Sequence, residues 1–102
     1  MIERVVLIEL TDEHRSPQGL QAVVYESQRV LRGLPGVLEV RVGLAADGPT
    51  AEDWDVMLVL RFAELADVEP YRVHPDHRAY VDTFLKPRLA GIRAWNFELD
   101  AA

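Results

Sequence analysis

The chain has 102 residues, 49% of them hydrophobic and 27% charged, which predicts a single folded domain over residues 1–102 rather than a disordered or multidomain protein. Because it contains no cysteine, disulfides, thiolate nucleophiles and sulfur-ligated metal sites are excluded, and we expect a reducing, cytoplasmic location. The net charge of −6, without a cluster of lysines and arginines, argues against nucleic acid as a partner, since phosphate backbones bind clustered basic side chains.

The first half of the chain predicts a strand, a helix and a second strand. Residues 2–10 form an apolar run typical of a strand that is buried on both faces. This run is too short for a membrane helix, and its charges and missing cleavage site argue against a signal peptide, so we expect no contact with a membrane. Ser16 and Pro17 then form a helix start, and apolar residues at three-to-four spacing predict a helix that ends near Leu34. Alternation over residues 37–44 predicts the second strand.

The second half predicts a loop, a strand, a helix in two parts and a last strand. Residues 45–53 read as an acidic loop, and residues 54–62 are apolar on both faces, as in a buried strand. Helical patterns follow at 64–73, although a proline lies within this segment, and from 75 to about 86, before a further proline. Alternation returns over residues 92–99 and predicts a fourth strand.

The predicted order of elements is β-α-β-β-α-β, with the second helix broken. This is the order of a ferredoxin-like protomer, an α+β fold whose four-stranded antiparallel sheet has its helices on one face. However, the first and third strands are apolar in both registers, and the fourth places Trp95 and Phe97 on one face and Ile92 and Ala94 on the other. Because helices on one side cover only one face, we expect a homodimer in which two sheets pack face to face.

The segment PYRVHPDHRAY, residues 70–80, contains two of the three histidines. A residue that precedes proline is disfavoured in a helix, so the first helical segment is expected to end by His74, and Pro75 begins the next. His77 then lies in a first helical turn, where the helix dipole favours the neutral imidazole that can accept a proton. Tyr71 lies one turn before the break, so it is a candidate to share a pocket with His77.

A metal site at this corner is disfavoured by the sequence. His74 and His77 would reach one ion only from a continuous helix, which Pro75 interrupts, and zinc needs a third ligand. The remaining histidine, His14, lies in a loop far along the chain. A purely structural alternative stays open, in which His74 caps a helix and His77 makes a local hydrogen bond.

Several segments, in the right order along nearly the whole chain, resemble the stress-responsive A/B barrel (Dabb) domain family. The most specific of them is the motif Tyr71-x-x-His74-Pro75-x-His77, followed by Leu85-Lys86-Pro87. The segments ERVVLIEL, LPGVLEVRVG and WDVMLVLRF and the closing strand add to the resemblance. It implies a dimeric α/β barrel built from ferredoxin-like protomers. It also implies chemistry without a metal or organic cofactor, because a plant polyketide cyclase of this family closes its substrate by aldol condensation without either.

The resemblance assigns roles to the corner residues. In the cyclase the tyrosine and the second histidine of the motif line a cavity, which implies that His77 is the base and that Tyr71 polarises a carbonyl or stabilises an enolate. His74 would belong to the site in a structural role. Asn96 stands where the cyclase has an aspartate that orients the base. An amide can hold the ring N–H but cannot stabilise an imidazolium, which lowers the expected basicity of His77.

Arg4 is a second departure from the cyclase, which has a cavity-facing histidine at this position of the first strand. A guanidinium binds carboxylate through two parallel hydrogen bonds, so Arg4 favours an anionic or carbonyl-bearing ligand. The alternative for Arg4 is an ion pair with Glu3 or Glu98 at the edge of the sheet.

Two classes of function follow from these residues. The first is a homodimer that binds a small molecule and acts as a cofactor-free cyclase or lyase on a polyketide-like or carbonyl substrate. The alternative is a non-catalytic stress-response or accessory dimer, whose corner is structural. A cavity on which Tyr71, His77 and Asn96 converge would favour the first class, and a filled cavity with His77 bonded to backbone would favour the second. For a third class, the haem- or oxygen-using monooxygenases of related barrels, the motif gives no support.

Overall fold

A computed structural model describes residues 1–100 of the chain, so the last two residues of the expected domain, 101–102, lie outside the described residues. The strands are β1 (Ile2–Leu10), β2 (Glu39–Leu44), β3 (Val56–Phe62) and β4 (Leu89–Glu98). The helices are α1 (Pro17–Leu31), α2 (Gly48–Ala51), α3 (Val68–Val73) and α4 (Pro75–Ala79). A π-helical turn, Tyr80–Leu85, continues α4, and 3₁₀ turns cover Asp12–His14, Leu65–Asp67 and Lys86–Arg88. Within residues 1–100, no helix is both long and apolar enough to cross a membrane.

The four strands form one antiparallel sheet in the order β2-β3-β1-β4. Together with the order of the main elements, this topology confirms the predicted ferredoxin-like α+β fold. Since alternate residues of a strand point to opposite faces, the even-numbered residues of β1 face the helices. They include four buried residues, Ile2, Val6, Ile8 and Leu10.

Helix α1 packs on this face through a stripe of buried residues at four-residue spacing, Val23, Ser27 and Leu31. Ser16 begins the helix as predicted, because its side chain accepts a hydrogen bond from the Gly19 N–H at 3.0 Å. The buried Ser27 hydroxyl is satisfied by the Tyr80 hydroxyl, 2.6 Å away. The helix ends at Leu31, three residues before the predicted end.

The acidic segment 45–53 contains a short helix that was not predicted. Helix α2 begins where the Asp47 side chain accepts a hydrogen bond from the Thr50 N–H at 2.9 Å. The proline in the next helical segment also fits better than expected. Pro70 is the third residue of α3, and the first N–H groups of a helix have no partner within it, so proline removes no hydrogen bond there.

The break between the two parts of the second helix is confirmed at His74, whose backbone is extended (φ −59°, ψ 135°), with Pro75 as the first residue of α4. Pro87 does not end the helical structure, because it lies inside the last 3₁₀ turn. The turns beyond α4 return the chain to the edge of the sheet, where β4 begins at Leu89, before its predicted start. The corner between α3 and α4 therefore lies over the helix-facing side of β1 and β4.

The opposite face of the sheet, which we call the outer face, carries no helix in residues 1–100. Met57, Trp95 and Phe97 lie on it and are 42%, 45% and 53% exposed. Within one protomer the apolar outer residues of β1 and β3, which were predicted to be buried, are half-buried or exposed, whereas the outer residue Glu3 is buried. At one end of this face Arg61 forms an ion pair with Glu3, with 2.7 Å between the Nη2 and Oε1 atoms.

Candidate functional site

A cavity of about 300 Å³, here called the His77 cavity, lies between the corner and the sheet. Strands β1, β3 and β4 supply its floor through Arg4, Val6, Leu58, Ile92, Arg93 and Ala94. The helical side supplies Tyr71, Arg72, His77, Arg78, Tyr80, Val81 and Leu85. Six apolar residues thus line the cavity together with tyrosine, histidine and arginine residues, and such convergent polar groups can orient a small molecule.

Tyr71 projects from the last turns of α3 and is buried, with 3% of its surface exposed. Its ring packs edge-on against Phe62 at a centroid distance of 5.2 Å, and it lies 4.4 Å from the ring of His77. Burial raises the pKa of the Tyr71 hydroxyl, and the nearby positive charge of Arg4 opposes this rise only in part. The phenol is therefore protonated at neutral pH and is available as a hydrogen-bond donor.

His77 is held by the backbone of the preceding helix. Its Nδ1 lies 2.9 Å from the carbonyl oxygen of Arg72. Because a carbonyl only accepts, Nδ1 must carry the proton, and the neutral ring then has its lone pair on Nε2. Burial lowers the pKa of His77, the bond to the Arg72 carbonyl opposes this change, and the charges of Arg4, Arg78 and Arg72 lower the pKa further. The ring is thus neutral at pH 7, in the form that can accept a proton.

This lowered pKa predicts a specific dependence of stability on pH. Since the folded pKa of His77 lies below the unfolded value of about 6.5, folding favours the neutral ring. The stability that the neutral ring gives the folded protein is fully present above the unfolded pKa. It is lost as the pH falls toward the folded pKa, because the unfolded chain binds the proton first. Between about pH 7.5 and about pH 5.5 we expect the free energy of unfolding to fall more steeply for the wild type than for His77→Gln. Urea denaturation of both proteins across this range measures the difference, and parallel curves would contradict it.

Asn96 and Arg4 lie beside each other on the helix-facing side of the sheet, as direct partners in the β1–β4 register. The Arg4 Nη1 donates a hydrogen bond to the Asn96 Oδ1 at 3.0 Å. Asn96 is thus bonded to Arg4, whereas the expected bond to the His77 ring is made by the Arg72 carbonyl. The structure brings Arg4, Tyr71 and His77 to one cavity and places Asn96 on the far side of Arg4.

The ion pair considered for Arg4 is not formed with either expected partner. Glu3 lies against Arg61, and Glu98 accepts a hydrogen bond from the amino group of Met1 at 3.2 Å. Arg4 is partly buried, and this burial lowers the pKa of its guanidinium.

A second cavity of about 440 Å³, the Asn96 cavity, adjoins the first. It is lined by Arg4, Leu65, Val68, Glu69, Arg72, Ala94 and Asn96. Arg4, Arg72 and Ala94 line both cavities, so the guanidinium of Arg4 lies where they meet. A larger groove of about 550 Å³ lies between α1 and α4, but neither Arg4, Tyr71 nor His77 lines it, so we place the candidate site in the two smaller cavities.

His74 has a different environment from His77 and lines neither cavity. Its Nδ1 accepts a hydrogen bond from the Asp76 N–H at 3.1 Å, so its side chain caps α4. Among the residues that the structure describes, no three His, Asp or Glu side chains are grouped so that they could hold a metal ion.

Two features of the site were not predicted from the sequence. One is the Arg72 carbonyl, a backbone group that no side-chain pattern reveals. The other is Arg78, which also lines the His77 cavity. Arg78 follows His77 directly, so it was visible as a neighbour of a candidate residue.

Comparison with known proteins agrees with this architecture. The family model of the stress-responsive A/B barrel domain matches residues 2–99. A crystal structure of a Dabb family protein with a ferredoxin-like fold from Mesorhizobium loti has a TM-score of 0.82 at 19% identity, over 96% of this chain and 95% of that chain. A dimeric protein of unknown function and ferredoxin-like fold from Bacteroides fragilis has a TM-score of 0.71 at 26% identity, over 96% and 95% of the two chains.

A hydroxynitrile lyase from Passiflora edulis is also similar in structure, with a TM-score of 0.80 at 12% identity over 99% of this chain and 94% of that chain. No curated protein matches the chain in sequence. Since the family model covers almost every described residue and the fold agrees with it, the chain belongs to the stress-responsive A/B barrel (Dabb) domain family.

Proposed function

We propose that this Dabb protein binds a small carbonyl compound in the His77 cavity and catalyses cofactor-free proton transfer of the cyclase or lyase type. The observation that supports this most directly is the pairing of a neutral imidazole, His77, with a protonated phenol, Tyr71, on the wall of one cavity. Their ring centroids are 4.4 Å apart. A general base needs a lone pair at its reacting nitrogen, and the bond from Nδ1 to the Arg72 carbonyl leaves that lone pair on Nε2 of His77.

In the proposed step, Nε2 of His77 takes a proton from the carbon next to the substrate carbonyl. The electron pair of the broken C–H bond moves into the new C=C bond, and the carbonyl π electrons move to oxygen, which gives an enolate. The Tyr71 hydroxyl donates a hydrogen bond to this oxygen, where negative charge develops. In a cyclase the enolate carbon then attacks a second carbonyl of the same molecule, and the proton on His77 passes to the resulting alkoxide. A lyase of this type runs the same bond changes in reverse.

The similarity to a hydroxynitrile lyase supports the proposal only at the level of fold, since that protein shares 12% of its residues with this chain. More specific support comes from this chain, whose motif residues Tyr71 and His77 face one cavity while His74 is used as a helix cap. This division agrees with the roles that the family motif implies for the three residues.

We also propose that the functional unit is a homodimer formed through the outer face of the sheet. The exposed apolar side chains of Met57, Trp95 and Phe97 need a cover that one protomer does not provide. The similar protein from Bacteroides fragilis is described as dimeric. A cytoplasmic location, expected from the lack of cysteine, stays a prediction.

One observation favours the non-catalytic alternative, a stress-response or accessory dimer. His77 is bonded to backbone, as it would be in a corner whose purpose is only to join α3 to α4. Binding separates the two candidates, because a structural corner has no reason to recognise carbonyl compounds.

The test is a titration followed by thermal unfolding, with the neutral probe 4-oxo-4-phenylbutanamide. A ligand that binds only the folded protein raises the midpoint as its concentration passes the Kd, so we expect a saturable rise in the wild type. In Tyr71→Phe we expect a smaller rise, because the hydrogen bond to the carbonyl is lost while the ring packing is kept. If neither protein responds at millimolar probe, the corner is structural.

A further inference from the structure

Arg4 is a cation at a position where the strand pattern places core residues. It lies on β1, one of the two inner strands, on the side that faces the helices, between the buried residues Ile2 and Val6. Across the sheet its partners are Leu60 on β3 and Asn96 on β4. Partial burial of a charge is costly unless an opposite charge or several hydrogen bonds compensate for it. Arg4 therefore needs a compensating partner.

Within residues 1–100 this guanidinium has a neutral hydrogen-bond partner and no ion pair with a carboxylate, although the charge of Glu69 acts on it from a distance. Asn96 accepts one hydrogen bond from Nη1. Glu69, which lines the Asn96 cavity, is held by Arg72, with 2.6 Å between the Oε2 and Nη1 atoms. Because Arg72 already neutralises the nearest carboxylate of the cavity, the positive charge of Arg4 stays available to an added anion.

The lining of the His77 cavity also carries positively charged side chains. It includes three arginines from β1 and the helical side, Arg4, Arg72 and Arg78, and no carboxylate. Arg93 also borders this cavity, but it pairs with Leu7 in the register, so its side chain points to the outer face. Arg72 and Arg78 form ion pairs with Glu69 and Asp82 outside this cavity. Among these three, Arg4 is the one whose side-chain partner in residues 1–100 is neutral, so its positive charge favours an anion in the cavity.

From these contacts we infer that the substrate is a small oxo acid, and that Arg4 is the specificity residue that binds its carboxylate where the two cavities meet. The carbonyl of the same molecule then lies in the His77 cavity, against Tyr71 and His77, an assignment that rests on the proposed function. The planar guanidinium can meet both carboxylate oxygens through parallel hydrogen bonds. The Asn96 cavity leaves room for the remainder of the molecule on the other side of Arg4.

A bound carboxylate would also alter the base. The charge of Arg4 is one of the factors that lower the pKa of His77, and neutralising it removes that contribution. The ring then becomes more basic when the substrate is present, which couples recognition at Arg4 to proton transfer at Nε2.

The test uses two probes of the same shape, 4-oxo-4-phenylbutanoate and its neutral amide, 4-oxo-4-phenylbutanamide. Isothermal titration calorimetry at low salt is expected to show that the wild type binds the acid ~10–100-fold more tightly than the amide, as charge-assisted hydrogen bonds are stronger than neutral ones. In Arg4→Gln we expect this preference to disappear through weaker binding of the acid. The amide should keep its affinity to within about threefold, since its contacts are neutral. Arg32→Gln makes the same change of charge at an exposed residue that lines neither cavity, and it should behave as the wild type.

Arg4→Lys covers the outcome in which Arg4→Gln does not fold. Lysine keeps the charge but cannot form two parallel hydrogen bonds, so its preference for the acid should lie between those of the wild type and of Arg4→Gln. Three results would each overturn the inference. The wild type could bind acid and amide equally, it could fail to bind the acid, or the preference for the acid could survive in the folded Arg4 variants. Selective binding of the acid without catalysed proton exchange would instead remove the proposed chemistry and leave the role of Arg4 intact.

Discussion

Replacing His77 with glutamine is expected to slow protein-catalysed exchange of the protons next to the ketone of 4-oxo-4-phenylbutanamide by ~10²–10⁴-fold, the usual contribution of a positioned general base. Glutamine can still donate a hydrogen bond to the Arg72 carbonyl, which holds Nδ1 in the wild type at 2.9 Å. It has no nitrogen lone pair that accepts a proton, so the loss is one of chemistry rather than of structure. Exchange is measured in D₂O as the decay of the methylene signal in the proton NMR spectrum.

Two further variants show whether the slower proton exchange arises in the His77 cavity. Tyr71→Phe keeps the packing against Phe62 but removes the donor to the enolate oxygen, and we expect a loss of about 10²-fold. His14→Gln removes a histidine that pairs with Thr11 and does not line the His77 cavity, and it should leave the exchange rate unchanged. Wild-type exchange no faster than in buffer, or equal rates for the wild type and His77→Gln, would favour the structural alternative.

The fold was predictable because the sequence patterns that indicate its strands and helices are local and recur along the chain. Alternation over residues 37–44 and apolar runs over 2–10 and 54–62 identify strands from side chains alone, and the break at His74 follows from Pro75. Boundaries were less predictable, because they depend on tertiary pairing. Strand β4 begins at Leu89, where it pairs with Leu10 across an irregularity in register that no alternation in the sequence marks.

The site was predicted only in part, because some of its contacts also depend on tertiary pairing. The spacing of Tyr71 and His77 within the motif is a sequence property, and the structure places both on one cavity. The partner of Asn96 depends on the register between the first and last strands, which sets Asn96 opposite Arg4, 92 positions away. The group that holds His77 is a backbone carbonyl, and every residue has one. Only the fold decides which carbonyl reaches the ring.

Introducing two glutamates on β4, Trp95→Glu with Phe97→Glu, is expected to convert a homodimer into a monomer of 11.6 kDa. Trp95 lies opposite Val5 on the outer face and Phe97 lies opposite Glu3, so both point away from the helices. Their exposures of 45% and 53% mean that a lone protomer tolerates the change. In a face-to-face dimer the same carboxylates would be buried without a partner, at a cost of several kcal/mol each. Sedimentation equilibrium measures the mass, and the wild type is expected at twice the protomer mass.

Tyr25→Glu is the matched control for this pair. It also replaces an exposed aromatic residue with an acid, but Tyr25 lies on α1, on the other side of the sheet, and is 69% exposed. A charge there stays in water whether or not the outer faces meet, so this variant should remain dimeric. Dissociation by Tyr25→Glu but not by the double variant would place the interface on the helices. A wild-type protein that is monomeric at micromolar concentration would contradict the proposed dimer, because the apolar outer face would then have no cover.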